Sequence, residues 1–131
     1  MCANSAQFVM KSAIGNTIAE TASFRKHALT LWSEQELDAL KRYLSINPTI
    51  GDEIPEAGGL RKMRWGRFGM GKRGGARVVY YFYDETAPLF LLGAYAKAKQ
   101  NNLSPSEKED FTRIVSLLKM CIKEKKRKPS S

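Results

Sequence analysis

The run Ala76–Asp84, Ala-Arg-Val-Val-Tyr-Tyr-Phe-Tyr-Asp, is the segment that most constrains the fold. β-Branched and aromatic side chains are crowded against the preceding turn of a helix but pack well on a pleated surface. The run therefore predicts a strand. Leu89–Ala96 predicts another, and the short turn Asp84–Pro88 between them is the connection of a hairpin. Leu60–Trp65 reads as a strand leading into this pair, and Gly66–Gly75 as a Gly-rich, basic loop between the two. Three successive strands with short connections predict an antiparallel sheet.

Helices flank that sheet in sequence. Phe24, Ala28 and Leu31 recur at helical spacing and predict a helix to about Trp32. Ser33-Glu-Gln-Glu36 is a capping-box pattern opening a second helix with Leu37, Leu40 and Leu44 on one face, and Asn47-Pro48 closes it. Ser104, Pro105 and Glu107 form the strongest helix start in the chain. The apolar stripe that follows, Phe111, Ile114, Val115, Leu118, Cys121 and Ile122, is read as core or partner-docking surface. With a short strand at Thr17–Glu20, the order is β-α-α-β-β-β-α, an α+β domain with N-terminal helices, an antiparallel sheet and a C-terminal helix. At 131 residues the chain is one domain's length. The expected division is a flexible extension over residues 1–16, with Met10 an alternative start, a domain over 17–122, and a basic tail over 123–131.

The charge is unevenly placed. The chain carries 22 Lys+Arg against 13 Asp+Glu, a net charge of +9, which points to a polyanionic partner, nucleic acid before an anionic membrane surface. Residues 57–83 hold seven basic residues (Arg61, Lys62, Arg64, Arg67, Lys72, Arg73 and Arg77) and no acid, whereas residues 1–56 have a small acidic excess. The tail Lys123–Lys128 is a second basic block, read as a solvated extension. Cys2 and Cys121 cannot build a disulfide framework, and with His27 the single histidine they cannot fill a tetrahedral metal site of about four ligands. Reduced thiols, no metal and no other cofactor are expected. No apolar run reaches the ~20 residues of a membrane span, and the N-terminus lacks a secretory pattern.

Strand alternation sorts the cations by face. Lys62 and Arg64 point away from Met63 and Trp65; Arg77 shares a face with Val79, Tyr81 and Tyr83; Tyr95 and Lys97 share one with Leu91 and Gly93. In a suitable register Lys62, Arg64, Arg77, Tyr95 and Lys97 converge on one side of the sheet. A solvated sheet face decorated with cations is the competing reading, but such a face ordinarily mixes signs, and these 27 residues contain no acid. Gly66-Arg-Phe-Gly-Met-Gly71-Lys72 resembles a P-loop but has Arg73 where a metal-binding hydroxyl belongs and a strand where a helix should begin, so an NTPase is excluded. Its glycines and cations suit a phosphate backbone or a plain hairpin connection equally. His27 lies in the first predicted helix and is read as a helical surface or buried histidine.

Without a Cys/His or Ser/His pair, catalysis would rest on Lys, Arg and Tyr. That set suffices for one reaction. RNA supplies its own nucleophile, the 2′-OH; arginines can clamp the phosphoryl oxygens, and a lysine crowded by cations can act as base or acid.

Three segments, Gly58-Gly-Leu-Arg-Lys-Met-Arg64, Gly71-Lys-Arg-Gly-Gly-Ala-Arg-Val-Val-Tyr-Tyr-Phe82 and Ala94-Tyr-Ala-Lys97, resemble the RelE/ParE superfamily of bacterial type II toxin–antitoxin toxins, in its HigB-like branch. Trp32–Leu37, Asn47-Pro48 and Gly51-Asp52 fit as well, so the likeness spans roughly Thr17 to Val115. The resemblance implies a small RelE-like α+β RNase fold and a cytoplasmic endoribonuclease that cleaves mRNA on the 70S ribosome by metal-independent 2′-OH attack. It also implies a cognate antitoxin, expected to be HigA-like with a helix-turn-helix. Carried over by motif, Lys62, Arg64, Arg77, Tyr95 and Lys97 are the catalytic candidates. Arg61, Arg67, Lys72, Arg73 and Lys99 are the RNA-binding candidates. Which group acts as base stays open. The alternatives on the same fold are a non-catalytic ParE-like gyrase inhibitor and a nucleic-acid-binding module.

Overall fold

The computed structural model describes residues 8–11, 15–67, 71–97, 100 and 102–127, with 8–11, 67, 71–74 and 127 described by their backbone. The elements run β1 (Phe8–Lys11), β2 (Ile18–Thr21), α1 (Ala22–Ala28), α2 (Glu34–Ile46), β3 (Asp52–Glu53), β4 (Arg61–Arg67), β5 (Gly71–Tyr81), β6 (Leu89–Ala96) and α3 (Pro105–Arg127). The strands form one sheet in the order β1-β2-β6-β5-β4-β3. Helices α1 and α2 lie on one face and α3 on the other, which is the expected α+β arrangement.

The sheet is antiparallel except at one junction. β2 pairs parallel to β6, Ile18 with Leu89 and Glu20 with Leu91. No local pattern announces this, because the two strands lie about 70 residues apart in the chain and meet only when α1 and α2 close over the sheet. Thr21 secures the junction. Its hydroxyl caps α1 by accepting from the Phe24 amide at 3.0 Å and lies 3.3 Å and 3.4 Å from the carbonyls of Leu91 and Leu92.

Three expectations are corrected. Residues 8–11, expected within a flexible extension, form β1 against β2; four residues are too few to show a period. Much of the expected loop 66–75 is strand, since β4 runs to Arg67 and β5 starts at Gly71. Glycine carries no side-chain signal for a strand, so tertiary pairing decides. Cys121, expected as a free thiol, is disulfide-bonded, its partner lying outside the described residues. Both capping boxes form as expected, Ser33 with Glu36 and Ser104 with Glu107.

Each face has its own core. Phe24, Trp32, Leu37, Leu40, Leu44, Val78, Tyr80 and Leu91 fill the α1/α2 side; Leu60, Val79, Tyr81, Leu92, Val115 and Leu118 fill the α3 side. Glu20, 1% exposed, is the main charge in the first layer. It accepts from Arg25 Nη1 at 2.9 Å and faces Lys41 Nζ at 2.8 Å, so β2, α1 and α2 are tied by one carboxylate.

A bulge in β6 sets the faces. Val79 pairs with Gly93 but Tyr80 with Leu91, leaving Leu92 extra. Leu91 therefore joins the α1/α2 core, whereas Tyr95 stays on the α3 face. This corrects the simple alternation, which put Leu91 and Tyr95 together. Gly93 is required where it stands: a Cβ there would lie 2.5 Å from Phe111 Cζ of α3.

Candidate active site

The register of β4, β5 and β6 lines up three of the candidate residues. Arg64 pairs with Arg77, and Arg77 with Tyr95, a row across three adjacent strands on the α3 face. Neighbouring strands are ~4.8 Å apart, so the row spans roughly 10 Å. Lys62, opposite Val79, sits one row along on the same face, ~7 Å away. Lys97 follows β6, exposed, and its backbone N–H reaches the Gly75 carbonyl at 3.4 Å, at the other end of the row. Lys62, Arg64, Arg77 and Tyr95 thus share one region of one face, with the Lys97 backbone just past the end of β6.

Tertiary contacts position this group. Lys62 Nζ donates to Asn102 Oδ1 at 3.1 Å, joining β4 to the segment that leads into α3. Arg77 is half-buried, and its Nη1 has no hydrogen-bond partner; the buried hydroxyl of Tyr95 likewise has none. No ion pair among the described residues involves Lys62, Arg64, Arg77 or Lys97. Buried polar groups are ordinarily satisfied, so one buried guanidinium nitrogen and one buried hydroxyl without protein partners, next to cations without acidic partners, are the unusual feature of this face. Burial is the main effect on Tyr95 and pushes its phenol above the ordinary value; Arg77 pulls it back and Glu107 adds to the rise.

The RNA-binding candidates divide. Arg61 lies on the opposite face, paired with Tyr80. Its guanidinium donates to the carbonyls of Gly51 at 2.7 Å and Thr49 at 3.3 Å and reaches Glu53 at 3.6 Å. It holds the β3 segment in place and is not brought to the row. Arg67 ends β4, and Lys72 and Arg73 begin β5, so all three belong to the β4–β5 hairpin. Lys99 lies outside the described residues.

Sequence reasoning passed over two groups beside Tyr95. His27 is exposed on α1, as a surface histidine should be, but it lines a cavity together with Tyr95 and Glu107. Glu107 was legible as a capping residue. Beyond that role, it is held below the ordinary carboxylate range first by the Ser104 backbone N–H and next by Gln100, with His27 a smaller contribution. No sequence spacing connects residues 27, 95 and 107; only the packing of α1 and α3 against β6 does so.

One sheet covered by helices on both faces, with a row of cations and a long C-terminal helix beside it, defines a small α+β domain with a cationic site. A family model described as RelE toxin of RelE / RelB toxin-antitoxin system matches residues 50–128. That segment exceeds half of the chain and contains β4, β5, β6 and α3, and the chain belongs to this family. It is a toxin of a toxin–antitoxin system, and that membership implies an antitoxin partner. Among the described residues, no helix is long and apolar enough to cross a membrane.

Proposed function

We propose that this toxin is an endoribonuclease of the HigB-like branch that cuts mRNA on the ribosome by attack of the RNA's own 2′-OH. The observation that supports this most is the row Arg64–Arg77–Tyr95 with Lys62 beside it. Arg64 and Arg77, adjacent and without acidic partners, suit the non-bridging oxygens of one phosphodiester as negative charge builds on it. Tyr95, a neutral phenol beside Arg77 with no protein hydrogen-bond partner, suits proton donation to the departing 5′-oxygen. Lys62, tethered through Asn102, and Lys97, exposed at the far end of the row, complete the charge balance around the phosphate.

In this reading the hairpin residues Arg67, Lys72 and Arg73, with Lys99, contact flanking RNA backbone, and Arg61 serves the fold. The silencing partner is a HigA-like antitoxin with a helix-turn-helix, and the site of action is the cytoplasm. The test is to map 5′ ends of cellular mRNA after induction, with and without the antitoxin. Frame-locked cuts that vanish in Arg77→Ala and Lys62→Ala variants of unchanged expression are expected. Growth arrest by those variants as strong as wild type would overturn the reading.

A further inference from the structure

The cavity beside Tyr95 is a built feature of the fold. β2 pairs with β6 only as far as Leu91, so from Gly93 onward that edge of β6 has no strand neighbour among the described residues. Helix α1 lies along the gap on one side and the start of α3 closes the other. The space between them measures about 390 Å³, within the ~300–1,000 Å³ typical of small-molecule sites.

Its walls are of two kinds. Leu31, Leu103 and Phe111 supply flat apolar surface, and Ser23, His27 and Glu107 supply polar groups. His27 Nδ1 lies 3.0 Å from the Ser23 carbonyl. A carbonyl can only accept, so Nδ1 donates there and this bond fixes the plane of the ring at the cavity wall. Glu107 Oε1 takes bonds from the Ser104 amide at 2.9 Å and from Gln100 at 3.0 Å, which fixes the carboxylate rigidly at the cavity wall. Tyr95 contributes a buried hydroxyl with no hydrogen-bond partner. An apolar slot edged by a fixed carboxylate, an oriented imidazole and an unpartnered phenol matches a planar heterocycle with polar groups on its rim.

Tyr95 belongs both to this cavity and to the Arg64–Arg77 row. We infer that the cavity receives one nucleobase of the same RNA strand whose phosphate lies on Arg64 and Arg77, and that it gives the toxin a base preference at that position. This rests on the proposed RNA-directed function, and the measurement below separates the two.

The full chain, freed of antitoxin, is titrated at low salt with 2′-O-methyl RNA trinucleotides. These lack the nucleophile and cannot be cut. The series varies the base at each position and includes an abasic version. Wild type is expected to separate best from worst base at one position by about tenfold. Ser23→Trp, an exposed α1 position that fills the cavity mouth, is expected to bind the abasic strand as wild type does while separating bases less than about twofold. His27→Ala should blunt the same preference without blocking the cavity. A preference unchanged in both variants, or no preference in wild type, would overturn the inference while leaving RNA binding intact. An abasic strand that binds wild type no better than Arg77→Ala overturns the RNA reading together with the inference. A free nucleoside binding as tightly as the strand would reassign the cavity to a mononucleotide, which also overturns it.

Discussion

Arg64 on β4 and Arg77 on β5 are direct cross-strand partners, two like charges on one face of the sheet. Such pairs cost stability in an ordinary sheet, and here one guanidinium nitrogen of Arg77 is buried without a hydrogen-bond partner. The proposed seating of a phosphodiester on this pair would offset that cost.

Replacing Arg77 should therefore separate stability from toxicity. Arg77→Leu is expected to leave urea stability unchanged or to raise it by up to ~1 kcal/mol, while abolishing growth arrest. A loss above ~2 kcal/mol with arrest intact would show that Arg77 belongs to the scaffold.

Two tryptophans pin the β4–β5 hairpin to the helices by reciprocal bonds. Trp32 Nε1 donates to the Gly66 carbonyl at 3.0 Å, and Trp65 Nε1 to the Glu36 carbonyl at 3.3 Å. Trp65 also packs on Tyr43 with ring centroids 5.6 Å apart. Trp32→Phe removes the first bond and part of a buried ring; a cost of about 1–3 kcal/mol is expected. Amide exchange over Trp65–Arg67 should quicken, as read by hydrogen–deuterium exchange. Unchanged protection there would mean the hairpin is held by strand pairing alone.

Tyr80 reaches across the sheet to Gly51. Its hydroxyl accepts from the Gly51 amide at 2.8 Å in a buried setting, and a Cβ on Gly51 would lie 2.8 Å from both that oxygen and the Lys62 carbonyl. Tyr80→Phe strands the amide and should cost ~1–3 kcal/mol. Gly51→Ala should cost at least as much, and the double variant less than the sum. Thermal unfolding of the three variants checks this.

Tyr81, 2% exposed, has its phenol pushed up to about 12, first by burial and then by Tyr83 and Asp84. The folded chain holds this proton more tightly than the unfolded chain, whose tyrosines titrate near pH ~10. The stabilisation is complete below that value and is lost as pH rises from ~10 to about 12, roughly 2–3 kcal/mol in all. Tyr81→Phe should flatten this alkaline limb in urea melts at pH 9 to 11. An equally steep limb in the variant would assign it to other groups.

Much of this molecule is legible in its residue order. The strand run after Gly75, the Leu89–Ala96 strand, both capping boxes and the acid-free block over 57–83 are local patterns, and local patterns act through propensity and hydrogen bonds between near neighbours. Alternation also put Lys62 with Arg64 on one side of their strand, because alternation is a property of the strand itself; the register then brings Arg77 and Tyr95 to the same face.

What alternation could not supply was register and its interruption. The bulge at Leu92 and the approach of Phe111 to Gly93 move Leu91 to the opposite face, and the parallel β2–β6 pairing depends on two helices closing between distant strands. Arg61 shows the same limit from the other side: a cation inside the basic block is turned away and bonded to Thr49 and Gly51. The cavity that unites His27, Tyr95 and Glu107 is wholly tertiary, since it exists only where β2 stops short and α1 and α3 meet the uncovered edge of β6. The sequence determined which residues could carry the chemistry. The packing of three distant segments decided which of them stand together, because contacts between residues far apart in the chain leave no local periodic trace.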